Sequence, residues 1–419
     1  MPSSSSSTSS IANDPWLATH IHPKIANPIH ASIPFDDDNF TSIQLQNCLD
    51  AYGYVIIRQV LNIDECNHTL DLAWDYIEAA SAAEKDLFGD CEEDVVVVNR
   101  KEESTHAKGW PCCVEGGILP YYGAGHSSMC WFVRSNKKVR RVFEKLLSVH
   151  HGSSSSVGIG SNANAKAVEN DDDQMHLLAS MEGMILWHKE QKSEPGWFHI
   201  DQNPRSKPDV QSYQSIVNIL PTNSMTGGNV VVEGSHLLFP KYYTSIKSHY
   251  YDKKLNEVAG DDWLEINAKD THVLNEERIL CCNLLPGDML IWNSRLVHCS
   301  YPSTHLLESN NNTDTIDHPQ SKCLRTYGLK RAAVILSMSK NIPTDNVLLA
   351  RRRASERCES LTHWIDKVST LGGERIEEVE KEPLRASWMR KNRPGTLLCF
   401  KDLDEDQKQL VTIYNKSVK

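Results

Sequence analysis

The chain has 419 residues, 40% of them hydrophobic and 24% charged, with 13 Tyr, 10 Trp and 8 Phe. That is enough apolar material for a sizeable core, and it excludes wholesale disorder and a collagen-like fibre. With 44 Lys and Arg against 55 Asp and Glu the net charge is −11. Non-specific binding to nucleic acid or to an anionic membrane runs on a basic surface, so both are disfavoured as partners.

Reading from the N-terminus, residues 1–14 form a Ser-rich tail whose composition predicts disorder. It has neither the basic nor the apolar stretch of a signal peptide, and nowhere do about 18 apolar residues run together as a membrane span requires. The twelve cysteines are scattered without a Cys-x-x-Cys pair, which fits neither a zinc site nor a disulfide framework. Reduced thiols in a soluble, cytoplasmic chain are the expectation.

Gly53 to Val60 reads as a strand, and Asn62 with Glu65 forms a capping box for a helix running to about Ala82. Val139, Val142, Phe143, Leu146 and Leu147 keep helical spacing, which predicts one core-facing helix over Ser135 to His150. Polar stretches at 152–173 and 303–322 read as long surface insertions within one domain. From Leu177 short β-rich runs alternate with turn signals: Gly183 to His188, Trp197 to Gln202, Gln214 to Leu220, Asn229 to Glu233, Asp288 to Trp292 and Arg331 to Ser339. This is the pattern of a sandwich or jelly roll. Beyond Asn341 the chain turns helical and charged over Leu348 to Lys367, so residues 346–419 read as a helical extension packed on the β core.

Within the β-rich part, Trp197-Phe198-His199-Ile200-Asp201-Gln202 carries the chemistry. On a strand His199 and Asp201 share a face while Phe198 and Ile200 pack the other way. A third ligand must come from elsewhere, and His298, after Leu285-Pro286-Gly287-Asp288, is the candidate. Two imidazoles and a carboxylate on one face of an ion leave positions open, as in non-haem iron oxygenases. His188, followed at i+2 by Glu190, and His236, His272 and His305 are rivals. His188 reads as a core-edge residue and His236 as a group steadying a strand exit beside the site.

The ordered set His199-Ile200-Asp201-Gln202, Gly227-Gly228-Asn229 to His236, Leu285-Pro286-Gly287-Asp288 to His298, and Arg331 opening an apolar strand resembles the phytanoyl-CoA dioxygenase family of Fe(II)/2-oxoglutarate oxygenases. The resemblance reaches back to Gly53-Tyr54-Val55-Ile56 and to Gly123 through Arg134, and covers roughly residues 45–345. It implies an α+β fold with a double-stranded β-helix (jelly roll) core and flanking helices, making 15–345 the oxygenase domain. It further implies His199, Asp201 and His298 as iron ligands, with no catalytic residue beyond them, and Arg331 as the anchor of 2-oxoglutarate. A guanidinium fork suits that carboxylate. Here a polar insertion separates His298 from the arginine, so Arg325 and Lys330 are rivals; Arg331 is preferred because it starts a strand expected beside that of His298. Ser300 matches a family position near the co-substrate, and Gln214 and Asn218 share a parity on the strand after the metal motif.

The implied reaction uses Fe(II), 2-oxoglutarate and O2, supported by ascorbate, and gives succinate, CO2 and an oxidised small-molecule substrate. A halogenating subset replaces the carboxylate ligand by a small residue, so Asp201 points to hydroxylation or another oxidation. Two other readings compete: a catalytically silent jelly-roll binding or scaffold protein, and a cupin-type metal enzyme that does without 2-oxoglutarate. The basic runs Arg351-Arg352-Arg353 and Arg390-Lys391-Asn392-Arg393 could meet an anionic substrate, although such runs are mostly solvated faces.

Overall fold

A computed structural model describes residues 24–26, 31–36, 39–89, 96–112, 117–148, 175–189, 196–209, 212–223, 226–245, 249–257, 262–302, 323–368 and 376–413. The Ser-rich tail and the insertions expected at 152–173 and 303–322 lie outside the described residues. The helices are α1 (Ser42–Tyr52), α2 (Ile63–Phe88), α3 (His106–Gly109), α4 (Ser128–Arg134), α5 (Lys137–Ser148), α6 (His249–Glu257), α7 (Asp345–Arg357), α8 (Ile376–Asn392) and α9 (Glu405–Val411). The strands are β1 (Lys24–Ala26), β2 (Ser32–Pro34), β3 (Tyr54–Arg58), β4 (Ile118–Leu119), β5 (Leu178–Ala179), β6 (Met184–His188), β7 (His199–Ile200), β8 (Tyr213–Asn218), β9 (Gly228–Val232), β10 (Leu264–Glu265), β11 (Ile279–Cys282), β12 (Met289–Asn293), β13 (His298–Tyr301), β14 (Leu329–Leu336) and β15 (Met338–Ser339).

Two sheets carry the fold. One has six strands in the order β1-β11-β9-β13-β7-β10, the other seven in the order β2-β3-β12-β8-β14-β6-β4. Their pairings are antiparallel except for β1 with β11 and β2 with β3. Strand alternation sorts the side chains into layers. Tyr54, Ile56, Trp187, Ile216, Leu290, Trp292, Ala333 and Ile335 of the seven-stranded sheet meet Val231, Cys282 and Leu284 in one cluster between the sheets. The intervening residues Val55, Ile57, Val217, Ile291, Ala332 and Val334 pack outward among the helices. Phe198, Ile200, Val230, Val232 and Cys299 cover the outer face of the six-stranded sheet together with Tyr243 and Tyr251.

Helix α2 starts where its capping box says. Asn62 Oδ1 accepts from Glu65 N–H (2.9 Å) and Glu65 Oε2 accepts from Asn62 N–H (2.7 Å), an arrangement worth about 1 kcal/mol. The helix runs past Ala82 to Phe88. The helix expected over Ser135 to His150 is α5, with Val139, Val142, Phe143 and Leu146 buried, and a separate short helix, α4, ends just before it at Arg134. The Pro-Gly-Asp turn is structural: at Gly287 (φ +84) a Cβ would stand 2.0 Å from Leu61 O. Asp288 behind it is fully buried, pairs with Arg58 at 2.6 Å and accepts from the amides of Gln59 (3.0 Å) and Leu285 (2.8 Å).

The C-terminal region is not one helix from Leu348 to Lys367. α7 ends at Arg357 because Cys358 turns left-handed (φ 60), and residues 358–368 run on without helix or strand, apart from one bridge residue at 361. It packs largely on the helical layer: Leu361, Ala386, Met389, Phe400 and Val411 join the cluster formed by α2, α4 and α5. Its basic residues are partly interior. Arg385 is buried against Glu84 (2.8 Å), Glu378 (2.8 Å) and Glu382 (3.3 Å), and Arg351 donates to Val411 O (3.0 Å) and Ala179 O (2.6 Å). No helix among the described residues is long and apolar enough to cross a membrane. Cys281, Cys282 and the other described cysteines are free thiols.

Candidate metal centre

β7 and β13 are antiparallel neighbours, with His199 directly opposite His298. Phe198 and Ile200 face the outer cluster, so His199 points between the sheets, and Asp201, two residues on, shares its side. The H-x-D segment joins the ladder only at His199 and Ile200; Asp201 is held just beyond it by its amide, which donates to Ser294 O (3.0 Å). The His199 and His298 rings lie 4.4 Å apart, centroid to centroid. His199 Nε2 is 3.6 Å from Asp201 Oδ1 and His298 Nε2 is 3.3 Å from Asp201 Oδ2. One ligand atom from each of the three lies within 4.8 Å of the others, the spacing of a group that can hold a metal ion.

The protonation states suit a cation. His199 Nδ1 meets Trp197 O at 3.0 Å and His298 Nδ1 meets Leu296 O at 2.9 Å. A carbonyl only accepts, so each ring carries its proton on Nδ1 and turns the Nε2 lone pair toward the shared point. Burial, together with the neighbouring His298, pushes the His199 imidazole down to about 4 against the pull of Asp201, leaving it neutral at pH 7. Burial alone would raise the Asp201 carboxyl, but the facing His199 and then His298 hold it well below the usual carboxylate range. Gln214 Nε2 donates to Asp201 Oδ2 (2.9 Å) and to Ser294 Oγ (3.2 Å), which fixes the carboxylate's orientation. Two imidazole nitrogens and one carboxylate oxygen are the donor set that Fe(II) takes in a facial triad.

Arg331 lies on β14, in the other sheet from His298, not beside its strand as expected. It reaches the site across the space between the sheets. Ala333 and Ile335 share its inward face, and it sits opposite Trp187 on β6, its guanidinium 4.6 Å from that ring's centre. Nη1 donates to Ser300 Oγ (3.2 Å) and Nη2 to Asn229 Oδ1, two residues that pair with each other on β13 and β9. Arg331 is 0% exposed and its Nε is buried with no hydrogen-bond partner. Burial brings the guanidinium down to about 10, so it stays charged at pH 7, with no carboxylate of the described residues paired to it. A buried, uncompensated cation is costly, and an anionic ligand is what would offset it.

The rivals lie elsewhere. Arg325 is 54% exposed and pairs with Asp71 at 2.7 Å, and Lys330 is half-buried. Asn218 Nδ2 donates to the turn carbonyls of Leu220 and Leu285, while its Oδ1 is buried without a partner. His236 meets Asp50 O (3.1 Å) and joins the turn after β9 to α1; His188 packs on Trp110 (4.9 Å) and His272 on Tyr242 (4.9 Å). His305 lies outside the described residues. Sequence reasoning missed Trp197, whose ring stacks on His199 at 4.7 Å and whose Nε1 donates to Ser300 O (2.9 Å). It also missed Trp263, 40% exposed and 5.8 Å from the His199 ring, and His363 from the C-terminal region. Only Trp197, adjoining the motif, carried a local signal.

No family model matches the chain. It is 24% identical over 267 residues to a Dictyostelium discoideum protein described as "Putative phytanoyl-CoA dioxygenase", covering 60% of this chain and 68% of that one. It is also 24% identical over 281 residues to the Ava biosynthesis cluster protein O of Aspergillus versicolor, covering 64% and 75%. A solved structure of a hypothetical protein from Escherichia coli superposes with a TM-score of 0.51 at 12% identity, over 91% of this chain and 85% of that one, a likeness of fold. The sequence is thus similar to a relative bearing the name of the family that its metal-site motifs resemble.

Proposed function

We propose that the chain is an Fe(II)/2-oxoglutarate-dependent dioxygenase with a double-stranded β-helix (jelly roll) core, oxidising a small organic molecule. The observation that carries this reading is the placement of two complementary groups on the same inner strand face. His298 turns a nitrogen able to bind metal toward the cluster, and two residues on, roughly 6–7 Å along the strand, Ser300 joins a buried Arg331 that has no counter-ion among the described residues. A five-carbon keto-dicarboxylate spans such a gap, chelating at one end and forming an ion pair at the other.

Each residue then has a part. His199, Asp201 and His298 would hold Fe(II), which with 2-oxoglutarate supplies the O2 chemistry that ends in succinate, CO2 and oxidised substrate. Gln214 keeps the Asp201 carboxylate turned toward the ligand point. Arg331 and Ser300 offer N–H and O–H donors to the distal carboxylate, replacing the contact of Nη2 with Asn229 or adding to it. Trp197 steadies His199 by stacking and through its carbonyl. The test is succinate formation by the purified chain with Fe(II), 2-oxoglutarate and ascorbate, without any primary substrate. Slow, uncoupled succinate is the expected result; its absence from iron-loaded protein would refute the co-substrate.

A further inference from the structure

At the end of β14 away from Arg331 lies a buried carboxylate that has no part in the chemistry above. Val334, Leu336 and Met338 pack outward among the helices while Ala333 and Ile335 face between the sheets, so alternation turns Ser337 inward as well. β14 pairs with β8 as far as Leu336 opposite Ser215, and the same register one step on brings Ser337 beside Gln214, the residue that holds Asp201. β5 runs alongside β15, and just past that pairing Ser180 N–H donates to Ser337 O (2.8 Å) and Ser337 N–H to Ser180 Oγ (2.8 Å). Glu182, two residues on, comes to the same place: its Oε2 accepts from Ser180 Oγ (2.7 Å) and lies 3.5 Å from Ser337 Oγ.

Glu182 is 5% exposed, yet its carboxylate pairs with no cation among the described residues. Arg134 Nη2 donates to Glu182 O (3.4 Å), to the main chain and not to the side chain. The second carboxylate oxygen, Oε1, accepts no hydrogen bond from the described residues. Asp288, also buried, shows what a structural carboxylate has here, a guanidinium at 2.6 Å and two backbone amides; Glu182 has two serine hydroxyls. Burial pushes its carboxyl up to about 7 against the pull of the Ser180 hydroxyl, the mark of an ionised group left short of compensation. A neutral donor would meet Oε1, but a cation would offset the buried charge as well.

We propose that Glu182 recognises the substrate, its carboxylate receiving an ammonium or guanidinium group of the molecule bound beside the ion. The inference rests on the metal-centre reading above, and it narrows the substrate from a small organic molecule to one that carries a basic nitrogen. Ser337, which Glu182 adjoins, lies six residues from Arg331 on the same face, roughly 20 Å along the chain. The two ends of that face then have complementary tasks. Arg331 takes the anionic co-substrate on the Ser300 side of the ligand cluster, and Glu182 takes the cationic substrate on the Gln214 side.

Broadening of a probe's proton resonances by bound Mn(II) tests this, because it reports binding close to the ion and needs no turnover. The full chain is loaded with Mn(II) and titrated at about pH 8, where Glu182 is mostly ionised, with n-butylammonium and with n-butanol as matched probes. Charge-assisted hydrogen bonds are roughly twice as strong as neutral ones, so n-butylammonium should bind about tenfold more tightly than n-butanol. Glu182→Gln, which keeps the shape and an acceptor for Ser180 but not the charge, should remove that difference. Equal dissociation constants for the two probes in the wild type would overturn the proposal. So would a preference for the ammonium that survives in Glu182→Gln, as direct coordination of the amine to the ion would give. Thermal melting checks that the variant is folded, and the wild-type comparison decides the matter if it is not. Wild-type protein that binds no Mn(II) would instead refute the metal centre itself.

Discussion

Replacing Arg331 separates a buried recognition cation from a surface charge. The guanidinium is fully buried, held by Ser300 and Asn229 and stacked on Trp187, and no carboxylate among the described residues pairs with it. A bidentate charge-assisted contact to the distal carboxylate of 2-oxoglutarate is worth about 1.5–3 kcal/mol, which at 1.4 kcal/mol per decade is roughly 10–150-fold in dissociation constant. Arg331→Ala should weaken anaerobic 2-oxoglutarate binding to the Mn(II)-loaded protein by that factor while leaving Mn(II) affinity nearly unchanged. Arg331→Lys should recover only part, since a point charge keeps attraction but not the fork. Arg325→Ala, at an exposed pair with Asp71, should bind as wild type. If Arg325→Ala weakened the co-substrate and Arg331→Ala did not, the assignment of the anchor would be wrong.

Other consequences follow from the same geometry. Asp201→Ala should lower Mn(II) affinity by more than the roughly 100-fold upper range of an outer-shell partner, with an unchanged circular dichroism spectrum, because its carboxylate belongs to no apolar cluster; full turnover in that variant would refute it as a ligand. Asp288→Ala should destabilise the fold by about 3–5 kcal/mol in urea, since it strands Arg58 and the amides of Gln59 and Leu285, and should leave metal affinity unaltered once folded. His126 is fully buried, and burial, then the nearby Arg134, pushes its imidazole down to about 3, while its ring meets Glu359 O at 3.1 Å. The unfolded chain takes up that proton near 6.5, so this contribution is complete above pH 6.5 and is lost as pH falls toward 3. Between pH 6.5 and 5 the wild type should lose stability more steeply than His126→Asn, by up to about 1.4 kcal/mol per pH unit; parallel slopes would refute it.

The clustering of His199, Asp201 and His298 was legible because period-2 alternation is a local property: an H-x-D flanked by Phe198 and Ile200 can only place its polar pair on one face. The third histidine followed from the turn that precedes it. Arg331 was legible as a strand residue, but not the sheet it joins, since strand order is set by long-range pairing that no local pattern encodes. The same limit hid the parallel additions of β1 and β2 and the short strands β4 and β10. The stop of α7 was missed because a cysteine, not Gly or Asn, takes the left-handed position. That one turn redirects residues 358–368, whose path could not be read from the sequence.

The most direct test of the account is a crystal structure of the chain grown anaerobically with Mn(II) and 2-oxoglutarate. It should show one ion within about 2.0–2.3 Å of His199 Nε2, His298 Nε2 and an Asp201 oxygen, and the distal carboxylate on Arg331 and Ser300. An ion bound elsewhere, or a co-substrate whose distal carboxylate lies away from Arg331, would contradict it.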